Sequence, residues 1–270
     1  MAHVYKISNK KRSKLSLTTQ LILVNVVLYI VGLVLLSIYG EDFILENVAL
    51  TPAFVLSGQK IWTLVTSIFM HGSFFHIFAN MFSLFFIGSF LERIIGKKRF
   101  FWTYIIAGLV GGLFFIASGL IFNDLNTPAV GASGAIFGLL GVLAVVVPFS
   151  KVYLIVGPLL LIVAQVLVSE IIPGSMLPMF NTVINILIIL MIFSLFSFNS
   201  SLRKIAVPLE LPMWLLPIIA IVPLTIIGFF IPLPIGNSAH LGGLVVGLVY
   251  GFYLKKKFPN KTRSISRHFR

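Results

Sequence analysis

The chain contains no cysteine. That absence excludes a disulfide framework, a thiolate nucleophile and a metal centre built on sulfur. Charge is nearly as scarce: Asp, Glu, Lys and Arg make up 10% of the 270 residues. A soluble domain of this length needs far more polar surface to stay in solution. No internal repeat of fixed period occurs, and no low-complexity linker separates two domains. A signal-peptide pattern is also missing. The basic run Lys6, Lys10, Lys11, Arg12 and Lys14 leads into an apolar stretch too long for an h-region, with no small-residue cleavage site.

What remains is overwhelmingly apolar, at 59% hydrophobic residues and a mean hydropathy of +1.08, which makes the chain an integral membrane protein. Against the roughly 20 residues needed to span a bilayer, eight segments stand out, at 18–39, 73–93, 100–122, 132–150, 152–172, 179–198, 212–231 and 239–254. The expected fold class is an all-α polytopic membrane protein of about eight transmembrane helices. The stretch 40–72 is too apolar for a solvated loop, yet Pro52, Gly58 and its charged ends make it a poor span. It reads as a membrane-associated first loop.

A net charge of +13 invites a nucleic-acid partner, but the positions of the charges argue against one. With the N-terminus in the cytoplasm and the spans alternating, every Lys and Arg except Lys60 falls inside. That is the positive-inside pattern. The expectation is a multi-pass protein of the plasma membrane with both termini cytoplasmic, a basic arm at 1–17 and a basic tail at 255–270. The tail could also touch anionic lipid headgroups. Glu41, Asp42, Glu46, Asp124 and Glu170 fall outside in this threading.

Polar side chains within spans are costly and are functional candidates by default. Three clusters fall at one depth near the outer face. The first, His71-Gly-Ser-Phe-Phe-His76-Ile-Phe-Ala-Asn80, sets His76 and Asn80 one turn apart on a helix face. Alone, it reads equally as interhelical hydrogen-bond glue. The second, Gly131-Ala132-Ser133-Gly134-Ala135-Ile136-Phe137-Gly138, opens the fourth span. Its glycines expose a serine and the free amides of a helix N-terminus, although Gly134 and Gly138 also satisfy a plain packing face. The third, Ala239-His240-Leu241-Gly242-Gly243, opens the last span, and Gly243, Gly247 and Gly251 continue a close-approach face by fours. Ser133 and His240 can meet only if the insertion 151–204 adds an even number of spans between their helices. The two runs at 152–172 and 179–198 meet that condition.

Together these residues suit acyl transfer. Serine needs a base, for which a neutral imidazole is the usual choice. The oxyanion needs donors, which His76, Asn80 and the amides of Ala132 and Ser133 can supply. No intramembrane Asp or Glu is placed to orient His240, so a Ser133–His240 dyad is expected rather than a triad, with Phe137 able to hold the imidazole by stacking. A metal site from His71, His76 and His240 is an alternative, though no carboxylate or thiolate lies at matching depth. A transporter would show repeats and charges deep in several spans, and neither is seen.

The motifs H-x-x-x-x-H-x-x-x-N, G-A-S-G-A-I-F-G and A-H-L-G-G-x-x-x-G, in this order, resemble the rhomboid family. Glu92-Arg93 with Gly96, and Tyr104 with Gly108 and Gly112, support the likeness. The resemblance covers about 18–150 and 205–255. It implies a six-helix rhomboid-like core within 18–254, with 152–204 as a two-span insertion. It further implies Ser133 as nucleophile, His240 as base, His76 and Asn80 with backbone amides as the oxyanion site, and Phe137 stacked on His240. His71, Gly131, Gly134, Gly243 and Gly247 support the site. No cofactor or metal is implied. The implied activity is that of an intramembrane serine endopeptidase acting on single-span membrane proteins within the lipid bilayer. A silent relative that binds membrane helices is the alternative. One departure is that Trp62 is followed by Thr63, where the family usually carries arginine, which leaves the anchoring of the first loop open.

Overall fold

Helix formation is imposed by the solvent. A backbone in hydrocarbon must satisfy its own N–H and C=O groups, and a helix does so within one segment. The computed structural model describes residues 15–169, 171–196, 199–228 and 236–269. The basic arm up to residue 14, Glu170, the stretch 229–231 of the seventh segment and Arg270 lie outside the described residues. Among the described residues, four helices are long and apolar enough to cross a membrane: Leu17–Tyr39, Phe74–Ile95, Lys97–Phe122 and Leu177–Ser194.

The first of these is α1 (Leu17–Tyr39), capped by Ser16, whose side chain accepts from the Thr19 amide. Three short helices follow in the first loop: α2 (Glu41–Asn47), α3 (Pro52–Leu56) and α4 (Thr63–Phe69). Leu56, Ile61, Trp62 and Val65 stay exposed on these helices and the turn between α3 and α4, as a segment lying in lipid requires. The next span is α5 (Phe74–Ser83) and α6 (Ser89–Ile95), joined through a π-helical turn, Leu84–Gly88. Then comes α7 (Lys97–Phe122).

The central helix is α8 (Ser133–Val146), and all of its residues except Ser133 and Phe137 are buried. A helix apolar on every side must be surrounded, and α8 packs against α13 (Asn237–Lys257), α7 and the π-helical turn. At 14 residues it is about 21 Å long, well short of the ~30 Å hydrocarbon thickness. The expected span 132–150 is thus corrected to a short helix: the chain leaves helical geometry at Val147, before Pro148. Its N-terminus can consequently lie inside the bilayer rather than at its surface.

The expected span at 152–172 is also corrected. Residues Lys151–Ile155 form strand β1, and α9 (Val156–Ser169) begins only after it. α10 (Leu177–Ser194) returns alongside α9, with Gln165 donating to Asn181 Oδ1 at 2.9 Å. After α11 (Ser200–Ile205), strand β2 (Pro208–Pro212) pairs antiparallel with β1, from Lys151 opposite Pro212 to Ile155 opposite Pro208. The all-α expectation therefore gains a two-stranded ladder, which ties together the two ends of the stretch 151–212. Lys151 and Glu210 bridge it at 2.6 Å; their hydrogen bond raises the ammonium pKa and lowers that of the carboxyl. The chain then continues as α12 (Leu216–Gly228), which has Pro223 in its interior, and later as α13. The tail forms a packed helix, α14 (Pro259–His268), with Phe269 edge-on to Phe90 at 5.0 Å.

Candidate active site

The Ser133 cluster begins with an irregular backbone at membrane depth, tolerable only if its polar groups are paired. The first loop supplies the partners. Leu50 and Ala129 exchange both backbone bonds at 2.9 Å, and the Gly131 amide donates to Ser67 O at 2.8 Å. The loop itself is anchored without the family arginine: Trp62 Nε1 donates to Asn47 O at 2.9 Å, Thr66 Oγ1 to Val48 O at 2.8 Å, and Lys60 pairs with Glu46 at 3.1 Å.

Gly131 has φ +129°, a region open to glycine alone, and a Cβ there would sit 2.7 Å from His76 Nε2 and 3.7 Å from Asn80 Nδ2. The bend carrying the serine is therefore pressed directly against His76 and Asn80. Ser133 opens α8 and is half-buried; Ala132 before it is fully buried. The first amides of α8 point out of the helix end, as helix geometry dictates.

His240 comes from the first turn of α13. Its Nε2 lies 2.7 Å from Ser133 Oγ. The imidazole stacks on Phe137 with ring centroids 4.4 Å apart and planes 19° from parallel. Its other nitrogen, Nδ1, is buried, and among the described residues it has no hydrogen-bond partner, acidic or otherwise. What fixes it is packing.

The two helices touch backbone to backbone. A Cβ on Gly243 would collide with Gly134 O, and one on Gly247 with Gly138 O. A third helix joins them where the Ala239 carbonyl reaches Gly111 of α7 as well as Gly134. Small residues permit such approach in membrane bundles.

His76 and Asn80 share one face of α5; Ser73 caps that helix by accepting from the His76 amide at 3.1 Å. Asn80 donates to His76 O at 3.1 Å, which leaves its second N–H available. His71 is 1% exposed, lies edge-on to His76 at 5.1 Å, and neither of its ring nitrogens has a partner among the described residues. Among the described residues no group of three His, Asp or Glu is placed to hold a metal.

Sequence reasoning named Glu92 but gave it no partner. Its carboxylate accepts from the Leu17 amide at 2.9 Å, the Thr18 amide at 2.8 Å and Thr18 Oγ1 at 2.7 Å, tying the start of α1 to the end of α6. Its only signal in the sequence was a carboxylate at the end of a span with no cationic partner four residues away.

Comparison with known proteins agrees with this architecture. The family model described as "Rhomboid domain" matches residues 58–186 and 182–257. RHOMBOID-like protein 1 of Arabidopsis thaliana is 43% identical over 93 residues, 34% of this chain and 23% of that protein. Rhomboid protease GluP of Bacillus subtilis is 38% identical over 82 residues, 30% of this chain and 15% of that protein. Inactive RHOMBOID-like protein 8 of Arabidopsis thaliana is 35% identical over 83 residues, 31% of this chain and 22% of that protein. Each match spans less than a quarter of the relative's own length.

Proposed function

The chain belongs to the rhomboid family, and from that premise we propose that it is an intramembrane serine endopeptidase working through a Ser133–His240 dyad. The observation that carries this reading is the 2.7 Å contact between Ser133 Oγ and His240 Nε2. Ser133 Oγ attacks the peptide carbonyl carbon as its proton passes to Nε2. The carbonyl oxygen becomes an oxyanion beside His76, Asn80 and the amides of Ala132 and Ser133. His240 returns the proton to the leaving amine, the C–N bond breaks, and an acyl-enzyme remains. Water, deprotonated by His240, then releases the acid and regenerates the serine.

Single-span membrane proteins are the proposed substrates, because a site below the bilayer surface meets chains already in the membrane. The proposed architecture is a six-helix core with a two-span insertion at 152–204, both termini being cytoplasmic in a plasma membrane. The gathering of basic residues at one end supports that orientation. Catalytic silence, the property named in one relative, is the competing reading.

The test is cleavage of a fluorogenic single-span substrate by purified protein. Activity in the wild type with none in Ser133→Ala or His240→Ala fits the dyad. His76→Ala and Asn80→Ala should each lose about 10²–10³ in rate, the usual cost of one oxyanion donor. Activity persisting in Ser133→Ala rules the nucleophile out, and a folded wild type that cuts no member of a broad panel favours the silent reading.

A further inference from the structure

The end of the bundle opposite Ser133 carries two adjoining features that peptide hydrolysis does not use. The first is a cavity of about 380 Å³ between the end of α8 and the face of α14, lined by Lys255, Thr262, Arg263, Ser266 and Arg267. Positions 259, 262, 263, 266 and 267 recur at helical spacing, so one face of α14 presents two guanidinium groups and two hydroxyl residues to this space. The opposite side of α14 holds it in place through Ile265, packed on the core, and Phe269 on Phe90. The basic tail is thus a fixed wall. Arg99 and Lys257 are turned elsewhere, over the Phe258 and Tyr253 rings.

The cations facing the cavity are uncompensated. Among the described residues, neither Lys255, Arg263 nor Arg267 forms an ion pair. The acids at this end are already engaged: Glu92 on the start of α1, Glu210 on Lys151.

The second feature is a groove of about 440 Å³ between α8, α12 and α13, lined by Trp214, Ile218, Ile221, Leu244 and Leu248. Its lining is apolar apart from Lys255 at one edge. Val145, Pro148 and Lys255 border both spaces, so basic cavity and apolar groove are continuous. Each lies in the ~300–1,000 Å³ range of small-molecule sites.

We propose that this continuous space is a binding site for one anionic phospholipid. Its phosphate sits among Lys255, Arg263 and Arg267, and an acyl chain runs up the groove between α8, α12 and α13. Charge complementarity selects the headgroup, and the groove joined to it requires a ligand with both an anion and a long apolar tail. Free phosphate would use only the basic half. The occupied groove would brace α12, whose interior Pro223 weakens its backbone bonding, against the helices that carry Ser133 and His240.

The test is lipid retention by the full chain, independent of any cleavage assay. Delipidated protein in detergent is titrated with phosphatidylglycerol or phosphatidylcholine and bound lipid is counted by native mass spectrometry. Wild type should retain one phosphatidylglycerol at least tenfold more tightly than phosphatidylcholine. Arg263→Gln with Arg267→Gln should lose about thirtyfold of that affinity, at roughly 1 kcal/mol per cation. Leu248→Trp, which fills the groove and spares the charges, should lose binding as well. Lys256→Gln with Lys261→Gln, which removes two charges at the same end of the bundle but outside the lining, should bind as wild type does. Millimolar inorganic phosphate should leave the lipid in place. Equal retention of both lipids, or equal losses from the two charge pairs, would show that basic charge acts only in bulk and would overturn the site. Displacement by phosphate, or unchanged binding in Leu248→Trp, would remove the lipid assignment.

Discussion

Placing a methyl group at Gly243 tests whether backbone contact between α8 and α13 sets the spacing of the site. The added Cβ would collide with the Gly134 carbonyl oxygen, which is backbone and cannot rotate away. Ordinary contact separates such atoms by about 3.5 Å, so α13 must withdraw from α8 by on the order of 1 Å. His240 rides on α13 three residues earlier and Ser133 precedes Gly134, so the displacement acts directly on the 2.7 Å pair. A misplacement of about 1 Å at reacting groups costs ~10²-fold, and overpacking of this kind costs about 1–3 kcal/mol in stability. Gly243→Ala should therefore lose roughly 10²-fold in kcat on a fluorogenic single-span substrate, with KM little changed. Labelling of Ser133 by a fluorophosphonate should slow in parallel. Gly174→Ala, where nothing lies within 4 Å of the new Cβ, is the matched control and should behave as wild type. Wild-type kcat in a folded Gly243→Ala variant would refute the reasoning, since the dyad would then be positioned by something other than this contact.

Three further outcomes are expected. Phe137→Ala removes the ring stacked on His240, a contact worth about 0.5–1.5 kcal/mol. It should lower kcat roughly threefold to tenfold with the thermal midpoint nearly unchanged, and Phe137→Tyr should restore the rate. Glu92→Ala strips three hydrogen bonds from the start of α1; at about 1.5 kcal/mol or more for each bond to a charged group, the melting temperature in detergent should fall by several degrees, while KM measured well below the transition stays put. Replacing 151–212 by a short turn joins Ser150 to Met213, whose backbone groups already bond at 2.9 Å; the shortened chain should fold and keep Ser133 reactive toward fluorophosphonate. Loss of folding there would mean that the insertion is part of the core.

Much of the fold was legible because the membrane forces a simple grammar. Long apolar runs gave helices in nearly the expected places, with 18–39 found as Leu17–Tyr39 and 239–254 as Asn237–Lys257. The site residues were legible because intramembrane polar groups are rare. The structure places Ser133, His240, Phe137, His76, Asn80 and Gly131 together, with His71 packed behind His76. Other features had no signal of that kind. Residues 152–155 are apolar enough to merge with the span that follows, 208–212 has a proline at each end, and only their pairing with each other makes them strands. The π-helical turn at Leu84–Gly88 is a matter of how α5 and α6 meet their neighbours, and no residue in it announces the wider winding. α14 read as a charged tail because its apolar stripe is narrow: Ile265 and Phe269 acquire meaning only once the end of α6 is beside them. The arginine missing after Trp62 looked like a lost anchor, whereas backbone carbonyls at Asn47 and Val48 take over the holding of the loop.

The pairing of α8 with α13 also has a consequence in time. Serine and histidine are 107 residues apart, and ribosomes add about 5–20 residues per second. The helix bearing Ser133 is thus made roughly 5–20 s before the helix bearing His240. During that interval the growing chain holds a serine without a proton acceptor, and α8 has its glycine face uncovered. On the proposed mechanism, chemistry begins only when α13 docks against α8. The stretch from β1 to β2 lies between the two helices in the chain and lengthens this interval.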